Sequence, residues 1–269
     1  MTWIVSDVHG CFFTLQKLIE RVRSADPEAQ FVFVGDYFDR GLHSKKVVDY
    51  VIALQQSGAV CLRGNHDNVI DWIINGERTG DVFATEVDEV IPWWRYNGLD
   101  SALISYGVTT HITPQGPYKS GGDPIEIMEE FREKCPPSHK QFIRNLQLHW
   151  ENETHFACHA YVPPDVDHVD YFQRVEDNPE LVYEMLWERY HKDNHGKFLK
   201  INPPAFDTWS KVGVFGHTPV LYYGATTPIR FNKLRLIDTG CFTDKYLCAF
   251  NCRKDDWILQ ATDPRDIGK

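Results

Sequence analysis

The chain has 269 residues, and its 42% hydrophobic and 25% charged fractions are those of a folded rather than a disordered protein. Its 28 basic and 38 acidic residues give a formal net charge of −10, which argues against a nucleic acid polymer as partner. There is no signal-like start and no apolar run approaching the ~18 residues of a membrane span. We therefore expect a cytoplasmic protein without a membrane partner. Seven scattered cysteines also favour a reducing compartment.

The first part of the sequence alternates short apolar runs with amphipathic segments. Residues 2–5, 31–34 and 59–62 are rich in β-forming side chains and predict three strands. Each run is followed by a polar loop and then by apolar residues at helical spacing, which predicts a helix. A β-α-β-α-β order of this kind indicates parallel strands joined by right-handed crossovers.

Strand signals stop in the middle of the chain and return towards its end. We interpret residues 85–149 as a helical insertion, because aromatic and charged helical patterns replace the strands there. Strand-like runs resume at residues 155–159, 211–215, 234–237 and 247–251, a second group that could form a second sheet packed on the first. The expected fold is α/β (α+β), with two mixed β-sheets packed as a sandwich flanked by helices. We expect a single domain covering residues 1–269.

Polar side chains interrupt the sequence where each of the first three predicted strands ends. Asp7 and His9, then Asp36, then Asn65 and His66 stand at these junctions, and Asp7, Asp36 and Asn65 recur every 29 residues. A βαβ unit takes ~30 residues, so these groups fall at the carboxyl ends of neighbouring parallel strands. The spacing therefore predicts that the side chains converge.

Carboxylate, amide and imidazole donors without clustered thiolates suit divalent manganese, iron or zinc. Two carboxylates and several imidazoles exceed the needs of one ion, which indicates a two-metal hydrolytic site with water as the nucleophile. The alternative is that Asp7, Asp36 and Asn65 merely cap the following helices. Capping does not explain His9, two residues after Asp7, or His66, beside Asn65. Each has a glycine nearby that would let the backbone approach a ligand closely.

Three segments resemble the signature motifs of the calcineurin-like metallophosphoesterases. They are residues 7–10 (DVHG), 35–41 (GDYFDRG) and 63–67 (RGNHD). The middle motif is similar to that of the PPP-type serine/threonine phosphatase branch in its bacterial or phage-like form, which is close to the diadenosine tetraphosphatases. The resemblance adds two histidines, His159 and His217, which also follow strand-like runs.

The resemblance implies a binuclear centre in which Asp36 bridges two divalent ions, with manganese expected and iron or zinc as alternatives. One ion would be held by Asp7, His9 and Asp36, and the other by Asp36, Asn65, His159 and His217. Solvent bridging the ions would attack phosphorus directly.

The resemblance also implies roles around the reacting phosphate. His66 would be the general acid, and Asp39 would orient its imidazole. The implied contacts to substrate are Arg40, Arg63, Arg189 and Asn65.

Three functions remain open from the sequence. The first is a serine/threonine protein phosphatase acting on phosphoproteins, which the motifs of residues 35–41 and 186–189 favour. The second is a dinucleoside polyphosphate hydrolase, for example of diadenosine tetraphosphate. The third is a non-catalytic metal-binding scaffold. If the insertion overhangs the site, the Trp93–Trp94 pair can stack on a nucleobase, which would favour the second function. The sequence does not fix the oligomeric state.

Overall fold

The computed structural model describes residues 1–76, 87–109, 123–190 and 206–269. Two five-stranded sheets form its centre, and their strand orders are β10-β9-β1-β2-β3 and β4-β5-β6-β8-β7. The strands are β1 (Thr2–Val5), β2 (Gln30–Phe33), β3 (Val60–Cys61), β4 (His149–Glu151), β5 (His155–Cys158), β6 (Val212–Phe215), β7 (Ile229–Phe231), β8 (Leu234–Leu236), β9 (Tyr246–Asn251) and β10 (Asp256–Ala261).

Helices flank both sheets on their outer faces. In the part of the chain that the structure describes, the helices are α1 (Phe12–Ala25), α2 (Ser44–Gln56), α3 (Asn65–Asn75), α4 (Val87–Arg95), α5 (Leu99–Ser105), α6 (Pro124–Lys134), α7 (Pro137–Arg144), α8 (His168–Val175) and α9 (Pro179–Trp187). None of these helices has the length and apolar character needed to cross a membrane.

The parallel pairing of the first three strands follows the prediction from the sequence. β1 pairs in parallel with β2, and β2 pairs in parallel with β3. In the second sheet, β5, β6 and β8 are also parallel, whereas β4 and β7 are antiparallel edge strands. Both sheets are therefore mixed, and the predicted fold class of two mixed sheets with flanking helices is confirmed.

Alternation along the strands divides the core into an inter-sheet layer and outer layers. Ile4 and Val32 of the first sheet pack with Val214 of the second sheet in the inter-sheet layer. Their neighbours Val5 and Phe33 point the other way and pack with the helices that cover the first sheet. Because successive side chains of a strand face opposite sides, one sequence of apolar residues supplies both layers.

One predicted strand lies in a different sheet from the one expected. The strand predicted at residues 247–251 was assigned to the second group of strands, but β9 lies in the first sheet, antiparallel to β1 and β10. Pairing between β1 and β9 joins the two ends of the chain, and apolar alternation alone does not specify such a distant partner.

The region interpreted as an insertion contains four described helices, α4 to α7, before β4 begins at His149. Helix α3 packs against α6 and α7, and α4 packs against α5 and α6. Residues 85, 86 and 110–122 of the proposed insertion lie outside the described residues. The extent of the domain and of the insertion stays a prediction.

The end of the chain supplies the missing cap of helix α1. The N-cap residue of α1, Cys11, makes no side-chain capping hydrogen bond. Instead, the buried carboxylate of Asp266 accepts hydrogen bonds from the backbone N–H groups of Phe13 and Thr14, at 3.0 and 2.8 Å. It also accepts one from the Thr14 hydroxyl at 2.7 Å. A residue more than 250 positions away thus satisfies the first turn of α1.

We expect Asp266→Ala to lower the free energy of unfolding by about 1–3 kcal/mol, because two helix N–H groups and a buried hydroxyl lose their acceptor. Urea denaturation followed by circular dichroism measures the change. Glu153→Ala, at an exposed carboxylate in the turn before β5, is the control and should have little effect. Equal stability of Asp266→Ala and the unmodified chain would contradict the capping role.

Candidate metal centre

Five loops converge at the carboxyl end of the parallel strands. Asp7 follows β1, Asp36 follows β2 and Asn65 begins the helix after β3, while His159 directly follows β5 and His217 follows β6. All five side chains are buried. Both sheets therefore contribute to one cluster, and the convergence expected from the 29-residue spacing is present in the fold.

Asp36 lies at the centre of this cluster. Its Oδ2 atom is 3.4 Å from Nε2 of His9 and 3.5 Å from Nε2 of His159. Two groups of potential ligands share it, namely His9, Asp36 and His66, and Asp7, Asp36 and His159, with ligand atoms within 4.8 Å of one another in each group. One carboxylate thus stands between two sets of metal-binding side chains.

The ring nitrogens of the histidines are oriented by backbone carbonyls. His9 Nδ1 donates to the Phe38 carbonyl at 2.9 Å, and His159 Nδ1 donates to the Val34 carbonyl at 2.9 Å. His217 Nε2 donates to the Trp187 carbonyl at 3.1 Å. The other nitrogen of each ring is then unprotonated. Metal-binding histidines are commonly held by this type of outer hydrogen bond.

Three atoms that face one another near Asn65 are all hydrogen-bond acceptors. Asn65 Oδ1 lies 2.9 Å from His159 Nε2 and 3.0 Å from His217 Nδ1. With each ring proton on the outer nitrogen, these three atoms face one another without a proton between them. Such an arrangement is repulsive by itself and becomes favourable around a cation, so the residues fit a divalent metal ion.

The buried charges also fit a pair of cations. Burial, and then the carboxylates of Asp238 and Asp36, raise the pKa of Asp7 well above its usual value. Burial and the neighbouring Asp67 likewise raise the pKa of Asp36. Burial lowers the pKa of His159 to about 3, so its imidazole is neutral and able to coordinate. Carboxylates packed this closely are stabilised when positive ions lie between them.

Several cluster residues adopt backbone conformations that are unfavourable for side chains with a Cβ atom. His9, Asp36 and His217 have φ values of 43°, 56° and 66°, and Asp39 and Arg40 have 68° and 67°. The left-handed region costs a non-glycine residue about 1–2 kcal/mol. The packed strands before each loop hold these conformations, and strain of this kind is typical of functional sites.

Two glycines allow the carboxylates to approach the backbone. A Cβ atom at Gly64 would overlap with Oδ1 of Asp36, and a Cβ atom at Gly216 would overlap with Oδ1 of Asp7. The space is used for hydrogen bonds, since His66 N–H donates to Asp36 Oδ1 and His217 N–H donates to Asp7 Oδ2 at 2.9 Å. Glycine at these positions therefore fixes the carboxylates in the cluster.

His66 lies beside the cluster with its orientation fixed by Asp39. His66 Nδ1 donates to Asp39 Oδ2 at 2.7 Å, and the indole N–H of Trp94 donates to the same oxygen at 2.7 Å. Burial raises the pKa of Asp39 to about 8, although the hydrogen bond from Trp94 and the charge of Arg40 act in the opposite direction. The His66 ring also contacts His9, with 4.6 Å between centroids. Sequence reasoning did not assign Trp94 to this pair.

Two of the three arginines predicted to contact substrate lie near the cluster. Arg40 donates to His66 Nε2 at 3.1 Å, and its guanidinium stands 4.2 Å from the centre of the Phe242 ring. The half-buried Arg189 is close enough for its charge to lower the pKa values of His159 and His217, after the larger effect of burial. Both guanidinium groups are thus positioned at the edge of the cluster.

Arg63 occupies a different position. Its guanidinium donates to Asp71 Oδ2 at 2.8 Å and to the Ile143 carbonyl at 2.8 Å, and the side chain is buried. These bonds join α3 to the end of α7. The structure therefore places Arg63 in a helix contact, and it does not bring this guanidinium together with Arg40 and Arg189.

Two buried carboxylates support the cluster and were not singled out from the sequence. Asp67 accepts hydrogen bonds from the N–H groups of Asp36, Tyr37 and Gly64 at 2.7, 2.9 and 2.9 Å. Asp238 accepts from the Gly240 N–H at 2.8 Å and raises the pKa of Asp7 by its charge. Asp67 belongs to the motif of residues 63–67, and Asp238 directly follows the strand-like run of residues 234–237, but the roles of both depend on contacts between loops.

A protein-family model described as calcineurin-like phosphoesterase matches residues 1–230. The match covers most of the chain, including every loop of the cluster. The chain belongs to the calcineurin-like phosphoesterases, and it is a hydrolase of this family. The family resemblance stated from the sequence is thereby confirmed.

Individual relatives carry a more specific name. A symmetrical bis(5'-nucleosyl)-tetraphosphatase of a Janthinobacterium species (strain Marseille) is 35% identical over 106 residues, which are 36% of this chain and 38% of the relative. One of Shewanella sediminis is 24% identical and covers 96% of this chain and 97% of the relative. The chain spans only 38% of the length of the first relatives that it matches.

A solved structure shows the same fold over nearly the whole length. It is provisionally described as a diadenosine tetraphosphatase, has a TM-score of 0.61 and 18% identity, and is matched over 97% of this chain and 93% of its own length. At this identity the likeness supports the fold.

We expect Asp67→Asn to lower both stability and metal content. The amide replaces a buried acceptor of three backbone N–H groups, so the free energy of unfolding should fall by about 2–3 kcal/mol. The loop that carries Asp36 would also lose its anchor, and manganese bound after reconstitution, measured by elemental analysis, should decrease.

Asp71→Asn is the matched control for this variant, because it changes a carboxylate of the same helix that pairs with Arg63 instead. It should lose stability while keeping its manganese. Full metal content in Asp67→Asn would show that Asp67 does not support the centre.

Proposed function

We propose that this chain is a metal-dependent dinucleoside polyphosphate hydrolase. The observation that carries the proposal is the convergence of six chemically suited residues around Asp36, in a chain whose relatives bear tetraphosphatase names. The six are Asp7, His9, Asn65, His66, His159 and His217. The sequence alone favoured a serine/threonine protein phosphatase, and the relatives' names support the alternative reading better. We therefore do not retain a phosphoprotein substrate as the first choice.

In this proposal, Asp7, His9 and Asp36 hold one divalent ion, and Asp36 shares the second with Asn65, His159 and His217. The nearly equal distances from Asp36 Oδ2 to His9 Nε2 and His159 Nε2, 3.4 and 3.5 Å, support the bridging role. The oxygen and nitrogen donors suit manganese, iron or zinc, with manganese as our expectation. When bound, such ions lower the pKa of water and stabilise charge on phosphoryl oxygens.

His66 is the proposed proton donor to the leaving oxygen. Asp39 accepts the Nδ1 proton of His66, so Nε2 is the atom that can transfer a proton to the leaving group. Arg40 occupies the position next to Nε2, at 3.1 Å. A bound phosphate would attract the Arg40 guanidinium and leave Nε2 to the leaving oxygen. Solvent adds to phosphorus and gives up a proton, and the bond to the leaving phosphate oxygen breaks. In the substrate complex Nε2 of His66 must therefore be protonated, and it donates that proton to the leaving oxygen.

The experiment that tests the proposal compares two substrates under one condition. With manganese, we expect kcat/KM for diadenosine tetraphosphate to exceed that for a phosphoserine peptide by at least about 100-fold, since recognition of the nucleotide adds to a shared reaction. Initial rates measured by chromatography of the products give both values. A chelator should stop both reactions. A preference for the phosphopeptide would return the assignment to a protein phosphatase.

We expect His66→Asn to retain manganese and to lose about 10²–10⁴-fold in kcat on an alkyl phosphate such as a phosphoserine peptide, whose strongly basic leaving oxygen needs a proton; this is the usual contribution of general acid–base catalysis. An aryl phosphate with a good leaving group should lose much less, because its leaving oxygen needs no proton. His155→Asn is the control, since His155 lies at the opposite end of β5 from His159. Equal losses on both substrates would exclude His66 as the acid.

A further inference from the structure

Three tryptophan rings form a connected group beside the candidate metal centre. Trp94 is fully buried, Trp187 is half-buried, and Trp93 exposes 39% of its surface. Ring centroids are 5.0 Å apart for Trp93 and Trp94 and 5.8 Å apart for Trp94 and Trp187. We call Trp93, Trp94 and Trp187 the tryptophan cluster. It joins helix α4 of the proposed insertion to the end of helix α9.

The tryptophan cluster contacts the metal centre at two points. The Trp94 ring lies 4.6 Å from the His66 ring, and its indole N–H donates to Asp39. The backbone carbonyl of Trp187 accepts the hydrogen bond that orients His217. Trp93 is therefore two ring contacts away from the proposed acid, and its position is fixed by the residues that build the site.

The outer part of the cluster is a set of stacked aromatic rings. The rings of Trp93 and Trp187 are stacked at 6.4 Å with an angle of 29° between their planes, and Tyr183 stacks on Trp187 at 5.9 Å and 17°. Aromatic rings of this kind bind nucleobases by stacking, without a need for base-specific hydrogen bonds.

Two arginines near the tryptophan cluster favour an anionic ligand. Arg189 follows Trp187 by two residues and acts electrostatically on His159 and His217, and Arg40 donates a hydrogen bond to His66. The chain as a whole carries a net charge of −10, so attraction of a phosphate depends on these local arginines and on bound cations. A phosphate at the centre and a base on the tryptophans together describe a nucleotide.

We infer that Trp93, supported by Trp187, is the surface on which a base of the nucleotide substrate stacks. The inference rests on the proposed function and names the residues that give it nucleotide selectivity. Arginines and cations bind the phosphate chain, and Trp93 adds affinity that a phosphate without a base does not receive. A peptide side chain is the other possible occupant, and the experiment below separates the two.

The experiment uses AMP and ribose 5-phosphate as competitive inhibitors of p-nitrophenyl phosphate hydrolysis by the manganese-loaded protein. The two inhibitors differ only in the adenine base. We expect the unmodified chain to bind AMP more tightly, with a lower inhibition constant. In Trp93→Ala the constant for AMP should rise about 5- to 100-fold, the usual effect of removing one stacking ring, while that for ribose 5-phosphate stays unchanged. Trp93→Phe should keep most of the preference, because it retains an aromatic face.

Trp257→Ala is the matched control, since Trp257 is a half-buried tryptophan on edge strand β10 that contacts Arg230. It should leave both inhibition constants unchanged. The kcat for p-nitrophenyl phosphate and the manganese content report whether each variant keeps its centre. Three results would overturn the inference: no preference for AMP in the unmodified chain, an unchanged preference in Trp93→Ala, or equal weakening of both inhibitors.

Base stacking on Trp93 and cleavage of diadenosine tetraphosphate can fail independently. If the unmodified chain does not cleave diadenosine tetraphosphate but Trp93→Ala loses its preference for AMP, the proposed function fails and the base site stands. If the dinucleotide is cleaved and Trp93→Ala behaves like the unmodified chain, the function stands and the base site fails. A phosphopeptide that inhibits more strongly than AMP, and loses this inhibition in Trp93→Ala, would also contradict the base site.

Discussion

The structure depends on holding buried carboxylates close together at the junction of two sheets. Burial and mutual repulsion raise the pKa values of Asp7 and Asp36, so this arrangement opposes folding unless other groups compensate. Backbone N–H groups of His217 and His66 provide part of that compensation, and Asp67 fixes the loop of Asp36. Divalent cations would supply the rest. The apolar layer between the sheets is rigid enough to maintain the left-handed backbone conformations of these loops.

The part of this arrangement that the sequence predicts is the part encoded locally. Short apolar strands, each followed by a polar residue and a helix, place Asp7, Asp36 and Asn65 at the same edge of a parallel sheet, as the structure has them. His159 and His217 follow strands of the other sheet, 94 and 152 residues from Asn65. No spacing rule links them to the first three residues, and only the resemblance to a family included them in the site.

What the sequence could not predict depends on contacts between distant segments. The motif of residues 63–67 implied that Arg63 contacts substrate, but it did not specify the partners of this side chain. Hydrogen bonds to Asp71 and to a carbonyl of α7 determine where the guanidinium lies. Trp94 reaches Asp39 across 55 residues, from a region whose pattern predicted helices but no contact with Asp39. Strand β9 pairs antiparallel with β1, a partner that the alternation along β9 does not specify.

Substrate choice has to originate outside the metal centre. In the proposed centre, metal ions, a shared carboxylate, an imidazole acid and arginines would all recognise the transferred phosphoryl group, which phosphoproteins and dinucleoside polyphosphates have in common. Catalysis by these groups cannot distinguish the two classes, so discrimination requires contacts to the part of the substrate that does not react. In this chain the region between α3 and β4 adds such a surface directly beside His66, through Trp94 and Trp93. Trp94 donates to the carboxylate that orients His66 and also contacts the exposed Trp93 ring. Base stacking on Trp93, as proposed, would therefore be coupled to the position of the proposed acid.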